Sequence, residues 1–183
     1  MIKKKGAIIK LSRQKPERAF SFILVCVLSC LVNVNVFAQR EERLPLVIEP
    51  GKGFMQIEIG DYKNELLKLL GKPSEDDGKY ITYGRKGVQC LLEDNRVKTI
   101  FLFFRSRNYF TFDGITDKGI GFSSSIPDVI RKYGEPDRIG ESTISEYGSN
   151  PGVREISLNY HKLGITFTFW DSELADIRLY SHK

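Results

Sequence analysis

Residues 66–73 read LLKLLGKP, and residues 129–136 read VIRKYGEP. The second stretch repeats the plan of the first 63 positions on: Leu66, Leu67, Leu70, Gly71 and Pro73 are answered by Val129, Ile130, Tyr133, Gly134 and Pro136. In each copy an apolar stripe ends at a glycine suited to the left-handed position beyond a helix, and a proline prevents continuation. Upstream, Asp61 in the first copy and Ser124 or Ser125 in the second stand where a side chain can cap a helix. Asp128, three residues after Ser125, makes a partial capping box. Helices are predicted over 61–70 and 127–133, two to three turns each and too short to persist without a sheet to pack on.

Working outward, the self-similarity continues at a second spacing. Ile81, Tyr83, Gly87, Val88, Cys90, Ile100 and Leu102 recur 77 positions later as Leu158, Tyr160, Gly164, Ile165, Phe167, Ile177 and Leu179. The second copy thus carries 14 extra residues, accounted for by the polar region 140–154. Such repeats are read before anything else because missing them mis-assigns the fold. Strands are predicted over 79–83, 88–93 and 97–105, and again over 155–160, 165–170 and 174–180. The turns between them are short, which favours antiparallel hairpins. The expected fold class is α+β: two tandem units, each a short helix packed on a three-stranded antiparallel sheet. Residues 53–108 make the first unit and 109–183 the second. Residues 39–52, charged and with two prolines, read as a linker.

The chain carries 28 Lys plus Arg against 23 Asp plus Glu, a formal charge of +5. The surplus is not spread evenly. Residues 1–38 hold seven basic residues and one acid, so the remainder has 21 basic and 22 acidic residues. A basic nucleic-acid-binding domain is thereby disfavoured, and no nucleic-acid partner is expected. With 41% hydrophobic and 11% aromatic residues the chain can build a core.

The basic stretch to Arg18 is followed by an apolar run at 20–31 and by Val36-Phe37-Ala38 before Gln39. This is the order of a secretory signal peptide over 1–38, cleaved after Ala38. Two alternatives stand beside it: retention as a membrane anchor, or acylation at Cys30, whose preceding Val27-Leu28-Ser29 resembles a bacterial lipoprotein box. An exported protein, periplasmic or associated with the cell envelope, is expected, with membrane contact only if it is lipid-anchored or the segment is retained. Cys26 and Cys30 fall in this segment, leaving Cys90 alone in the mature chain, where it reads as a small buried hydrophobe.

Motifs for catalysis are sparse, with no G-x-S-x-G, H-E-x-x-H, P-loop or C-x-x-C. Neither catalytic nor metal-ligating residues are expected, and no cofactor. His161 reads as a turn residue, His182 as a terminal one, and the acidic run Glu75-Asp76-Asp77 as a solvated loop. A Cys90–His161 hydrolase remains as an alternative that requires those two side chains to meet.

Strand alternation divides the remaining positions into faces. The set expected to face the helices is Ile81, Tyr83, Val88, Cys90, Leu92, Ile100, Leu102 and Phe104, then Ile156, Leu158, Tyr160, Ile165, Phe167, Phe169, Ile177 and Leu179. The opposite face is apolar and aromatic in the first unit and polar in the second. Tyr80, Leu91, Phe101 and Phe103, with Tyr180 from the second unit, are the expected partner-binding residues. The alternative is that the patch is covered from within, by residues 44–48 or 109–112.

The order of a glycine, two apolar residues, Leu70 or Tyr133, Gly-x-Pro, a tyrosine at 83 or 160, a glycine-led apolar strand and a last strand resembles a known superfamily. It is similar to the SmpA/OmlA (BamE) outer-membrane-assembly lipoproteins and to the β-lactamase inhibitor protein family, which uses the unit twice. The resemblance spans residues 54–180. It implies an exported, non-enzymatic protein that binds an envelope protein partner through the surface of its sheets. The assembly lipoproteins carry one unit where this chain has two, so no particular activity is carried over.

Overall fold

The computed structural model describes residues 46–144 and 151–182. In chain order the first half comprises β1 (Leu46–Glu49), β2 (Gly53–Phe54), β3 (Ile57–Glu58), α1 (Lys63–Leu70), β4 (Glu75–Asp76), β5 (Tyr80–Tyr83), β6 (Val88–Glu93) and β7 (Arg96–Phe103). There follow β8 (Gly114–Thr116), α2 (Ile126–Tyr133), β9 (Arg138–Thr143), β10 (Arg154–Tyr160), β11 (Ile165–Trp170) and β12 (Glu173–Tyr180).

The hairpins form where the sequence permits unusual backbone. Asp94 and Asn95 between β6 and β7 both have positive φ, at 51° and 59°, and Asp171 and Ser172 between β11 and β12 match them at 47° and 73°. Two central residues of this kind give the turn whose twist suits paired strands. The two meanders are therefore present, yet they do not form two sheets. β7 pairs antiparallel with β12, through Ile100↔Leu179, Phe101↔Arg178 and Leu102↔Ile177.

The result is one eight-stranded sheet in the order β4-β5-β6-β7-β12-β11-β10-β9, beside a four-stranded sheet in the order β3-β2-β1-β8. The expected α+β pair of helix-on-three-strand units is corrected by this finding: the protein is mostly sheet, with two eight-residue helices among the described residues. The physical reason lies at the edges. The last strand of each meander has an unpaired side, and alternation specifies which face a side chain takes but not which strand lies alongside. The fourth strand of each half was hidden by composition, since β4 is acidic and β9 polar. Residues 46–49, placed in the expected linker, form β1, which pairs parallel with β8 and antiparallel with β2.

The repeat survives inside this larger sheet. Phe101 and Arg178, which face each other across the β7–β12 seam, stand 77 positions apart and so occupy equivalent places. The seam is symmetric about that pair. β9 is the lengthened counterpart of β4: Arg138↔Asn159 repeats Glu75↔Thr82.

One face of the large sheet carries the core. Every residue expected to face the helices is buried there except Ile156, which is partly buried and packed against the others. Leu66 from α1 and Val129 from α2, at equivalent positions, are both 0% exposed within the same core. Ile48, Phe54, Ile57 and Phe112 extend it under the small sheet.

The helix starts differ. Ser125 caps α2, accepting from the Asp128 amide, while the Asp128 carboxylate accepts from the Ser125 amide at 2.9 Å. α1 starts after Tyr62 with no side-chain cap. Asp61 lies one residue too early, and its carboxylate accepts from the Glu58 amide at 2.8 Å instead. Both helices end at the expected glycines, Gly71 at φ 80° and Gly134 at φ 81°.

Candidate protein-binding face

The face opposite the helices is arranged in rows by strand register. Tyr80 lies across from Leu91, Leu91 from Thr99, and Thr99 from Tyr180, making one row over β5, β6, β7 and β12. The next row runs Thr82, Gln89, Phe101, Arg178, Thr166, Asn159. Phe103, Asp176, Thr168 and Ser157 make a third. The five residues expected from the sequence therefore share one face of one sheet. Each is half-buried.

Within the group, Phe101 and Phe103 stand two apart on β7, with rings stacked at 6.4 Å and 9° between planes. Arg178 lies 5.9 Å from the Phe101 ring, a cation facing an aromatic across the seam. The Tyr180 hydroxyl is 3.1 Å from the Thr166 hydroxyl and 3.4 Å from His161 Nδ1. Across the sheet the equivalent surface is polar. Thr166 donates to Asn159 Oδ1 at 3.0 Å, just as Gln89 donates to Thr82 Oγ1 at 2.9 Å in the first half.

One group there was missed. Asp176 is 4% exposed, and its carboxylate accepts from Arg178 Nε at 2.8 Å. Burial pushes its carboxyl above the ordinary carboxylate range, against the pull of the Arg178 charge. The signal was available: Asp176 is the one acid inside the apolar run Leu174–Leu179, two residues from the cation that answers it.

The two candidate covers divide. Residues 46–48 are committed to β1, and Ile48 is 0% exposed in the core. From 109–112, Tyr109 reaches the strip and packs on Phe103 at 4.9 Å between ring centres. Phe112 turns into the core and Phe110 is 66% exposed. An acidic cleft of about 480 Å³, lined by Glu75, Asp76, Asp77, Tyr80, Thr82 and Gln89, borders the strip. Two of its acids are engaged: Asp76 lies 2.6 Å from Lys63 Nζ, and Asp77 accepts from the Tyr80 amide at 2.6 Å.

Cys90 faces the core from β6 with 0% exposure, and burial pushes its thiol up to about 12. His161 is exposed in the turn after β10, beside Tyr180, so its ring points to the surface while the thiol points inward. Among the described residues no group of three His, Cys, Asp or Glu is placed to hold a metal ion, and no helix is long and apolar enough to cross a membrane. Residues 1–38 and Cys30 lie outside the described residues.

No family model matches the chain, and it matches neither a curated protein nor a solved structure.

Proposed function

We propose that this is an exported, non-enzymatic cell-envelope module of the SmpA/OmlA (BamE)-like and β-lactamase-inhibitor-like type, which binds a protein partner through the outer face of its large sheet. The observation that carries the reading is the strip of Tyr80, Leu91, Phe101 and Phe103 on three adjacent strands, with Tyr180 diagonal to Phe101 on the next. Aromatic side chains offer large contact area at small entropic cost and dominate binding energy in protein interfaces. Contiguous apolar surface on a soluble face marks such interfaces. The near balance of charge outside residues 1–38 favours aromatic over electrostatic recognition.

The test is capture from envelope extract with the wild type and the double variant Phe101→Ala, Phe103→Ala. The expected outcome is loss of the captured protein while the circular dichroism spectrum stays unchanged. A double variant that loses its fold would return these side chains to a packing role. Capture that persists in a folded double variant would instead fit a structural envelope lipoprotein held at Cys30.

A further inference from the structure

The turn after α1 and the short 3-10 turn Gly84–Lys86 flank an open pocket of about 400 Å³. Its lining includes Lys72, Arg85 and Lys86 and no carboxylate. None of the three cations is in an ion pair among the described residues. Tyr83 also lines it, is 3% exposed, and its buried hydroxyl has no hydrogen-bond partner among the described residues. A buried polar group left unmatched is costly and calls for an explanation.

The second half supplies the control. There the same frame carries Glu135, Pro136, Asp137, Tyr160, Lys162 and Leu163. Asp137 accepts from the Lys162 amide at 3.2 Å and lies 3.7 Å from Lys162 Nζ. The Tyr160 hydroxyl donates to the Gly134 carbonyl at 2.8 Å. Charge and hydroxyl are both answered from within the protein. In the first half Ser74 stands where Asp137 does. Its hydroxyl accepts from the Gly84 amide at 3.0 Å and donates to the Thr82 carbonyl at 2.9 Å, tying down the turn without bringing a negative charge. The neighbouring acids Glu75, Asp76 and Asp77 line the separate cleft beside the aromatic strip.

We propose that this pocket binds a phosphate monoester, its dianionic head among Lys72, Arg85 and Lys86 and its organic part against Pro73 and the Tyr83 ring. Three cations around one concavity suit a doubly charged oxyanion, and the planar fork of an arginine matches phosphate geometry. The volume falls in the range of about 300–1,000 Å³ usual for small-molecule sites. Burial pushes the Tyr83 hydroxyl up to about 12. The site shares no side chain with the aromatic strip and stands independently of the proposed protein partner.

The test is calorimetric titration of the full chain with phenyl phosphate at low salt. Saturable binding is expected, weakened at least tenfold by Arg85→Gln with Lys86→Gln and unchanged by Lys162→Gln in the second half. Lys72→Gln, from the other turn, gives an independent variant with the same direction of effect. Benzoate, with one charge, is expected to bind more weakly; equal affinity would overturn the assignment to phosphate. Sedimentation with phosphatidic acid vesicles separates a lipid headgroup from a soluble ester as the natural source. Because residues 1–38 carry positive charge of their own, only the difference between wild type and the double variant counts there. Loss of vesicle binding in that variant assigns the headgroup, and uptake of phenyl phosphate alone assigns a soluble ester. Failure to take up either probe, or uptake indifferent to these variants in protein with an unchanged circular dichroism spectrum, overturns the proposal.

Discussion

Phe101 and Arg178 sit at equivalent positions and face each other across the centre of the sheet, one aromatic and one cationic. The same contrast runs outward from them. Leu91 answers to Thr168, Tyr80 to Ser157, and Thr99 to the buried Asp176. In the core the halves agree in kind: Cys90 and Phe167, Ile100 and Ile177 on the strands, and Leu66 and Val129 on the helices, are all 0% exposed. Positions that fill the core are held to apolar residues in both halves, while outward positions on equivalent strands are free to take different chemistry. The first half uses that freedom for an aromatic strip and a cationic pocket, the second for a hydrogen-bonded polar surface and the pairing of buried Asp176 with Arg178.

The largest expected effects probe what the halves share. Gly87 and Gly164 have φ of 65° and 66°, and each lies against backbone from another segment. A Cβ on Gly87 would lie 2.7 Å from the Phe112 amide nitrogen, and one on Gly164 would lie 2.7 Å from Gly51 Cα. Left-handed strain and overpacking combine in Gly87→Ala and Gly164→Ala, for a loss of about 4 kcal/mol each by chemical denaturation. Because the β7–β12 seam makes the halves one sheet, a single transition is expected in both variants. Two separated transitions would break the claim that the halves fold together.

Next in size are the equivalent core residues. Leu66→Ala should cost about 3 kcal/mol, and Val129→Ala about 2 kcal/mol because fewer buried atoms are removed. A Val129→Ala loss larger than that of Leu66→Ala would show that α2, not α1, is the more tightly packed helix.

How far the sequence foretells this arrangement depends on which rule governs each element. The helices and their ends were legible because Gly71-x-Pro73 and Gly134-x-Pro136 leave the chain little choice there. The meanders were legible from alternation and short turns, and with them the placing of Tyr80, Leu91, Phe101, Phe103 and Tyr180 on one face. The seam was not, since pairing of Ile100 with Leu179 is a tertiary choice made by two edges whose sequences look alike. β4 and β9 were lost because Glu75, Asp76 and Arg138 carry no apolar period. The cationic pocket escaped because Lys72 comes from one turn and Arg85 and Lys86 from another, 13 and 14 positions on, joined only by the fold.

The helix starts offer a smaller contrast. Ser125→Ala removes the α2 cap and should cost about 1 kcal/mol in denaturant midpoint experiments. Asp61→Ala, which removes only an exposed turn hydrogen bond, should stay within about 0.5 kcal/mol. Equal losses would mean that Asp61 serves α1 as Ser125 serves α2.

The smallest effect is a pH dependence confined to one helix start. The Ser125 hydroxyl, then its amide, then Arg131 hold the Asp128 carboxyl down at about 2. A carboxylate so lowered adds stability above its unfolded value, roughly 4, and that contribution disappears as pH falls toward 2. Ser125→Ala takes away the largest of these contacts, so the Asp128 midpoint should rise in a carbon-detected NMR titration, and the acid limb of the stability curve should shallow between about pH 4 and pH 2. Glu65, the equivalent residue in α1, follows no capping hydroxyl, because the residue before that helix is Tyr62. The acid sensitivity removed by Ser125→Ala therefore belongs to the second half alone. An unchanged Asp128 midpoint in the variant would mean that the Ser125 amide and Arg131, rather than the capping hydroxyl, hold the carboxylate.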